Sequence, residues 1–110
     1  MRQATIYYNN VVAGVLTETN EGEYVFQYTE EYQKEHPHGF ITFTMPVRSA
    51  PYISKRLFPF FEGLIPEGWL LDIATKNWKI NQNDRMGLLL ACCQNCIGAV
   101  SVQPVITEEL

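Results

Sequence analysis

The first half of the chain alternates apolar and polar residues in the way that half-buried β-strands do. Residues 4–8, 11–19 and 23–28 are rich in strand formers, and short turn signals separate them. Asn9-Asn10 lies between the first two segments, and asparagine tolerates the left-handed backbone that a tight hairpin turn requires. The pattern therefore predicts an antiparallel meander of three strands.

Two further segments resemble strands. In residues 40–45, one face would carry Phe40, Thr42 and Thr44, and the other Ile41, Phe43 and Met45. Residues 98–103 have the sequence GAVSVQ. Between the meander and the fourth predicted strand, residues 29–39 are polar and predict a loop or a short helical turn. Residues 46–51 are expected to be irregular, and Gly14 is a candidate β-bulge within the second strand.

A helix is predicted after a short apolar piece at residues 57–64. Pro66 is compatible with the first turn of this helix, which should continue to about Lys79. At 100° per residue its apolar side chains occupy an arc of about 140°. Trp69 lies at the edge of that arc, and the apolar face consists of Leu70, Ile73, Ala74 and Trp78.

A second helix is predicted over residues 82–94. Asn81 and Asp84 have the spacing of a capping box, and the apolar residues that follow cover about 200° of the helix. Such a helix should be deeply buried, whereas the tail after about residue 104 should be mobile. Strands, helices and a final strand in this order predict an α+β fold, with two or three helices packed on a small, mainly antiparallel sheet.

The composition indicates one small domain spanning residues 1–110. Hydrophobic residues make up 46% of the chain and charged residues 18%, which is enough apolar surface to form a core. A domain of this length buries roughly two-thirds of its unfolded surface. Most large catalytic scaffolds need about twice this length, so the length argues against them.

Charge and hydropathy narrow the choice of partners and compartment. The chain carries 8 basic and 12 acidic residues, for a net charge of −4, and its basic residues are scattered. Such a distribution does not favour direct binding to nucleic acid. The sequence shows neither a signal peptide nor an apolar stretch that could cross a bilayer, so a cytoplasmic protein without membrane contact is expected.

The cysteines form one cluster, Cys92, Cys93 and Cys96, which contains a CxxC spacing. A zinc site needs about four ligands, and no second Cys or His pair lies nearby in the sequence. We therefore interpret these residues as small packed side chains. The alternative is a small thiol or metal enzyme.

Candidate catalytic and ligand-binding residues are otherwise scarce. The pair His36 and His38 lies in a polar loop, and Glu62 and Glu67 are five residues apart, which does not place them together on a helix. No phosphate-binding loop or nucleophile motif is present. The sequence thus predicts no catalytic, cofactor-binding or metal-binding residues and no enzyme activity.

An aromatic and apolar cluster between residues 57 and 70 is the most informative feature. Most of its side chains must form core in so small a domain, but Trp and Phe also dominate the energetics of protein interfaces. Trp69 is the best candidate for partial exposure because of its position at the edge of the apolar arc.

The segment Phe60 to Trp69, FFEGLIPEGW, resembles the FFxxLLPEG segment in the N-terminal subdomain of HipA-type Ser/Thr kinases. Other matching pieces follow the same order over residues 5–104. They are Gly14-Val15-Leu16, Phe26-Gln27-Tyr28 with Tyr32, Ile41 to Pro46, Leu88-Leu89 and Ile97 to Val100. HipA kinases continue into a kinase core with ATP-binding and catalytic loops, so the resemblance extends to the subdomain and not to the kinase activity.

A separate copy of this subdomain is similar to HipS, the small component of split HipBST toxin–antitoxin systems of bacteria. That resemblance implies an antitoxin that restrains a HipT-like kinase toxin, with a helix-turn-helix protein like HipB in the same complex. HipS binds its kinase where the missing subdomain would sit. Our hypothesis is that docking takes place on the small lobe of the kinase near its ATP cleft, with Trp69 as the anchor. The expected partner-binding residues are Phe61, Leu64, Ile65, Glu67 and Trp69.

The alternative is a structural subunit. Such a subunit completes a split HipA-type kinase and assists its assembly with a HipB-like partner, without inhibiting it. Co-expression separates the two hypotheses, since only an inhibitor suppresses phosphorylation.

Overall fold

A computed structural model describes residues 2–65, 76, 83–92 and 99–105. Within these residues it contains five strands and three helices, and the strands form a single antiparallel sheet in the order β4-β3-β2-β1-β5. The α+β class predicted from the sequence is confirmed. In chain order the elements are β1 (Arg2–Tyr8), β2 (Val11–Glu18), β3 (Tyr24–Tyr28), α1 (Glu30–Glu35), β4 (Tyr52–Ser54), α2 (Pro59–Glu62), α3 (Arg85–Cys92) and β5 (Val100–Pro104).

The predicted hairpin joins β1 to β2. Asn9 and Asn10 both have positive φ, at 51° and 67°, and Tyr8 pairs directly with Val11 across the turn. Two consecutive left-handed residues give the turn the twist that matches the flanking strands. The sequence signal at these two asparagines therefore identified the turn correctly.

The predicted bulge lies beside Gly14. Ile6 pairs with Gly14 whereas Tyr7 pairs with Val12, so Ala13 is the extra residue on β2. A Cβ atom at Gly14 would lie only 2.5 Å from a backbone carbonyl oxygen of β3. Glycine is needed here because the neighbouring strand approaches too closely for a side chain.

The core lies on one face of the sheet. Inward-pointing strand residues pack against α2 and α3, and none of the largest buried side chains is more than 1% exposed. This set comprises Ile6, Leu16, Phe26, Tyr28, Phe61, Met86, Leu88, Leu89 and Val102. The prediction that the helix carrying Leu88 and Leu89 is deeply buried is confirmed.

The strand predicted over residues 40–45 is wrong. This segment is a loop in which Ile41 and Met45 are buried while Phe43 is 86% exposed. An alternating strand would place all three side chains on one face. The Tyr28 hydroxyl instead accepts a 3.0 Å hydrogen bond from the Ile41 N–H and donates to the Met45 carbonyl, so it satisfies two backbone groups that a strand ladder would otherwise serve.

The fourth strand, β4, lies further along the chain and follows Pro51. It pairs with β3 through Tyr52 opposite Phe26 and Ile53 opposite Val25. With three residues, it is too short for an alternating pattern to be recognised. The helical turn expected within residues 29–39 is present as α1, whose N-cap is Thr29.

The helix predicted over residues 82–94 begins later than expected. Its first helical residue is Arg85, and the Asp84 carboxylate accepts a 3.1 Å hydrogen bond from the Gly87 N–H. Asp84 is therefore the N-cap itself and not the third residue of a capping box begun by Asn81, which lies outside the described residues. The helix predicted over residues 66–79 also lies outside them, except for Lys76, which is helical and exposed.

In the part of the chain that the structure describes, no helix has the length and apolar character needed to span a bilayer. The tail predicted to be mobile lies beyond the described residues, except for Val105, whose N–H donates to the Gln3 carbonyl.

Candidate protein-binding site

The segment leading into the Pro66–Trp69 motif begins with the short helix α2. Pro59 occupies its first turn, where the missing N–H leaves no hydrogen bond unmade. Backbone hydrogen bonds of 3.0 Å from Glu62 to Phe58 and from Gly63 to Pro59 close this turn. The chain therefore reaches residue 65 through a defined helical turn.

Phe61 attaches α2 to the sheet. Its side chain is fully buried, and its ring centroid lies 5.7 Å from that of Phe26 on β3. Phe58 and Phe60 flank it at 6.2 Å and 5.3 Å in edge-on geometries that aromatic pairs prefer. Burial of a phenylalanine side chain contributes about 1.5–3 kcal/mol, so Phe61 fixes α2 on the core.

The five expected docking residues have different environments. Phe61 and Ile65 belong to the core, at 0% and 3% exposure, while Leu64 is half-buried and packs against that core. Glu67 and Trp69 lie outside the described residues. The structure thus brings Phe61, Leu64 and Ile65 together where the chain leaves α2, and the docking role of all five residues stays a prediction.

An ion pair links α2 to α3. The Arg85 guanidinium binds the Glu62 carboxylate with N–O distances of 2.7 and 2.8 Å, and both side chains are about one-third exposed. Partly exposed pairs of this kind contribute at most about 1 kcal/mol. The pair therefore connects α2, which precedes the Pro66–Trp69 segment in the sequence, to α3, which follows it.

A second network connects α3 to the sheet. The Arg2 guanidinium donates two hydrogen bonds to Asp84, of 2.7 and 3.0 Å, and one of 2.7 Å to Glu18. Tyr24 donates to the other oxygen of Glu18 at 3.2 Å. Hydrogen bonding from Arg2 is the main cause that lowers the pKa of Asp84, although burial acts in the opposite direction.

The cysteine cluster lies mostly outside the described residues. Cys92 is the last residue of α3, its side chain is not described, and Cys93 and Cys96 lie beyond it. Among the described residues, no group of three or more His, Cys, Asp or Glu side chains could hold a metal ion. The packing role of the cysteines stays a prediction.

An exposed aromatic pair was missed in the sequence. Phe43 is 86% exposed and stacks on Phe40, with ring centroids 4.8 Å apart. The alternating pattern of residues 40–45 suggested a paired strand, and that error concealed the exposure of Phe43. Arg2 and Asp84 were missed for another reason, because the sequence contains no local signal that links residues 82 positions apart.

The fold and the position of α2 define a small α+β domain, and comparison with known proteins identifies its family. A sequence model of the HipA N-terminal domain matches residues 4–103. The chain belongs to the HipA N-terminal domain family. The matched family describes the N-terminal domain of HipA and not its kinase catalytic domain.

Two individual proteins are similar to the chain over nearly its whole length. An uncharacterized protein of Haemophilus influenzae is 31% identical over 104 residues, which cover 94% of this chain and 92% of that protein. A solved structure of the N-terminal domain of HipA toxin is 27% identical, with a TM-score of 0.74. That match covers 98% of this chain and 96% of the solved chain.

Proposed function

We propose that this protein is an antitoxin of a tripartite toxin–antitoxin system. It binds a HipA-like Ser/Thr kinase toxin, similar to HipT, in the cytoplasm and neutralises it by protein contact, without catalysis of its own. A HipB-like helix-turn-helix protein belongs to the same complex. The observation that carries this proposal is the family match over residues 4–103, together with the similarity to the N-terminal domain of HipA toxin.

The environment of α2 suggests that the docking residues have two different roles, one structural and one in direct contact with the kinase. Phe61 and Ile65 are core side chains, so they act by holding the segment in place. Leu64 is only half-buried, so in this proposal it supplies apolar contact to the kinase together with Glu67 and Trp69. Because Phe61 and Ile65 are buried, residues 61–65 lose little conformational entropy on binding, which favours affinity.

Trp69 is the anchor of the proposed interface. Tryptophan is among the residue types that dominate binding free energy at protein interfaces, and truncating such an anchor typically costs about 2 kcal/mol or more. In our proposal it enters a pocket near the ATP cleft of the kinase and holds the kinase inactive.

Co-expression with a HipA-like kinase toxin tests the proposal. The unmodified chain should restore growth and suppress phosphorylation by the kinase. Trp69→Ala should lose both effects, whereas Ile53→Ala should retain them, since Ile53 is 62% exposed on β4 and does not belong to the core that holds α2.

Circular dichroism of the purified variants checks that both remain folded. Full rescue by Trp69→Ala would contradict the proposed anchor. Phosphorylation that is unchanged or raised by the unmodified chain would contradict inhibition and favour a structural subunit that completes a split kinase.

A further inference from the structure

The loop of residues 40–46 presents aromatic side chains to solvent. Phe43 is 86% exposed and Phe40 is 38% exposed, and the two rings stack with an interplanar angle of 29°. Two stacked aromatic rings at the surface leave a contiguous apolar area in contact with water, and areas of this kind mark interaction sites.

The loop is held firmly at its base. Ile41 and Met45 are 6% and 4% exposed, and both are hydrogen bonded through their backbone to the buried Tyr28 hydroxyl. Phe40 and Pro46 form an isolated β-bridge across the loop. Phe43 is therefore displayed by a fixed scaffold, which reduces the conformational entropy lost on binding.

A groove of about 340 Å³ adjoins this aromatic pair. It runs between the β1–β2 hairpin, α1 and the 40–46 loop, and its walls are mainly apolar. Aromatic and imidazole rings supply most of these walls, which include Tyr8, Val11, Tyr32, His36 and Phe40. We refer to this groove together with Phe43 as the Phe43 groove.

The chain segments that border the Phe43 groove carry a net negative charge. Residues 8–12 carry no charged side chain, and residues 30–47 carry three glutamates and one lysine, so the bordering segments have a net charge of −2 with histidine neutral. The glutamates are Glu30, Glu31 and Glu35, all exposed on α1, whose residue Tyr32 forms part of the groove wall.

We infer that the Phe43 groove binds a basic segment of a partner protein, one that carries arginine or lysine side chains next to a large apolar side chain. The aromatic walls attract a guanidinium or ammonium group through cation–π contacts, and the glutamates of α1 complement its charge. Phe43 packs against the apolar side chain of the segment. This surface is formed by the 40–46 loop, α1 and the hairpin, so the inference stands independently of docking through α2.

Two synthetic peptides of equal length test the inference with the purified chain alone. One alternates arginine with phenylalanine, and the other alternates glutamate with phenylalanine. The arginine peptide should produce saturable NMR shifts of the amides around the groove, such as those of Asn9, Val11 and Gly39, and added salt should weaken its binding.

Variants then assign the binding to the groove. Phe43→Ala should weaken the arginine peptide about tenfold, which corresponds to roughly 1.4 kcal/mol. The double variant Glu31→Gln/Glu35→Gln should weaken it several-fold. Ile53→Ala is the matched control, because it removes another exposed apolar side chain at β4 and should leave the affinity unchanged.

Three results would overturn the inference. Equal affinity for both peptides would refute the charge complementarity. Equal binding by Phe43→Ala would contradict the proposed packing of Phe43 against the apolar side chain of the segment. Self-association in sedimentation that Phe43→Ala abolishes would show that a second copy of the chain occupies the groove. None of these measurements uses the kinase, so failure here leaves the proposed antitoxin function to its own test.

Discussion

Arg2 and Asp84 are 82 positions apart in the sequence and are joined by two hydrogen bonds of 2.7 and 3.0 Å. Arg2 begins the first strand, and Asp84 caps helix α3 by accepting the Gly87 N–H. One carboxylate therefore both caps this helix and ties it to the end of β1 that lies opposite the Asn9–Asn10 turn.

Substitutions at Asp84 should separate these two roles. Asp84→Ala removes the cap and the ion pair, so we expect the free energy of unfolding to fall by about 1–2 kcal/mol. Asp84→Asn retains an N-cap acceptor and loses only the charge, so its loss should stay below about 1 kcal/mol. Urea unfolding followed by circular dichroism measures both, and equal losses would contradict a capping role.

The pH dependence of stability should report the Arg2–Asp84 pair. Hydrogen bonding from Arg2 holds the pKa of Asp84 below its ordinary value of 3.8. In acid the unfolded state therefore binds more protons at Asp84 than the folded state does. The stabilisation from the ion pair is fully present above the unfolded pKa of 3.8, and it is lost as the pH falls through the lower pKa of the folded state. The difference in unfolding free energy between the unmodified chain and Asp84→Asn should therefore shrink between about pH 6 and pH 2.5.

Glu21→Gln, at the exposed turn before β3, controls for the general effect of removing a carboxylate. A difference for Asp84→Asn that is constant across this pH range would show that the ion pair does not contribute to folding.

Tyr28→Phe should loosen the 40–46 loop. The substitution leaves the Ile41 N–H and the Met45 carbonyl without the hydroxyl partner that each now has, which costs about 1–3 kcal/mol. Burial raises the pKa of Tyr28 to about 12, so its hydroxyl remains protonated at neutral pH. Urea unfolding measures the loss in the free energy of unfolding. In the variant, hydrogen exchange of the Ile41 amide should speed up by a larger factor than that of the β1 amides.

Tyr52→Phe is the matched control for this prediction. It removes a hydroxyl that donates to the Pro46 carbonyl at an exposed position, so its effect should be about 0.5 kcal/mol or less. Equal losses in the two variants would contradict a special role for Tyr28 in holding the loop.

The Glu62–Arg85 pair should show a small but measurable coupling. In a double-mutant cycle with Glu62→Gln and Arg85→Gln, we expect a coupling free energy of about 0.2–1 kcal/mol that decreases with added salt. A coupling near zero at low salt would mean that the 2.7 Å contact does not help to fix α2 against α3.

Local signals in the sequence were sufficient for much of the fold. Asn9-Asn10 and Gly14 identified a turn and a bulge because positive φ and close strand approach restrict which residues fit. The same method failed for residues 40–45. The hydroxyl of Tyr28 on β3 satisfies backbone groups of this segment, which therefore forms a loop in spite of its alternating pattern.

The sequence predicted which residues belong to the candidate site, but not which of them are buried. The cluster around Phe61 was recognisable from its composition, but which members are buried depends on contacts with Phe26, 35 positions earlier. The charge network around Arg2 and the exposure of Phe43 depend in the same way on tertiary structure, and a sequence pattern does not contain that information.

The affinity of the purified chain for a HipA-like kinase, the proposed partner, tests the central claim most directly. Isothermal titration calorimetry should show binding by the unmodified chain and at least about 30-fold weaker binding by Trp69→Ala, which corresponds to roughly 2 kcal/mol. Ile53→Ala should bind like the unmodified chain, and kinase activity measured in the same samples should fall in proportion to the bound fraction. Binding that Trp69→Ala leaves unchanged, or a bound kinase that retains full activity, would contradict the account.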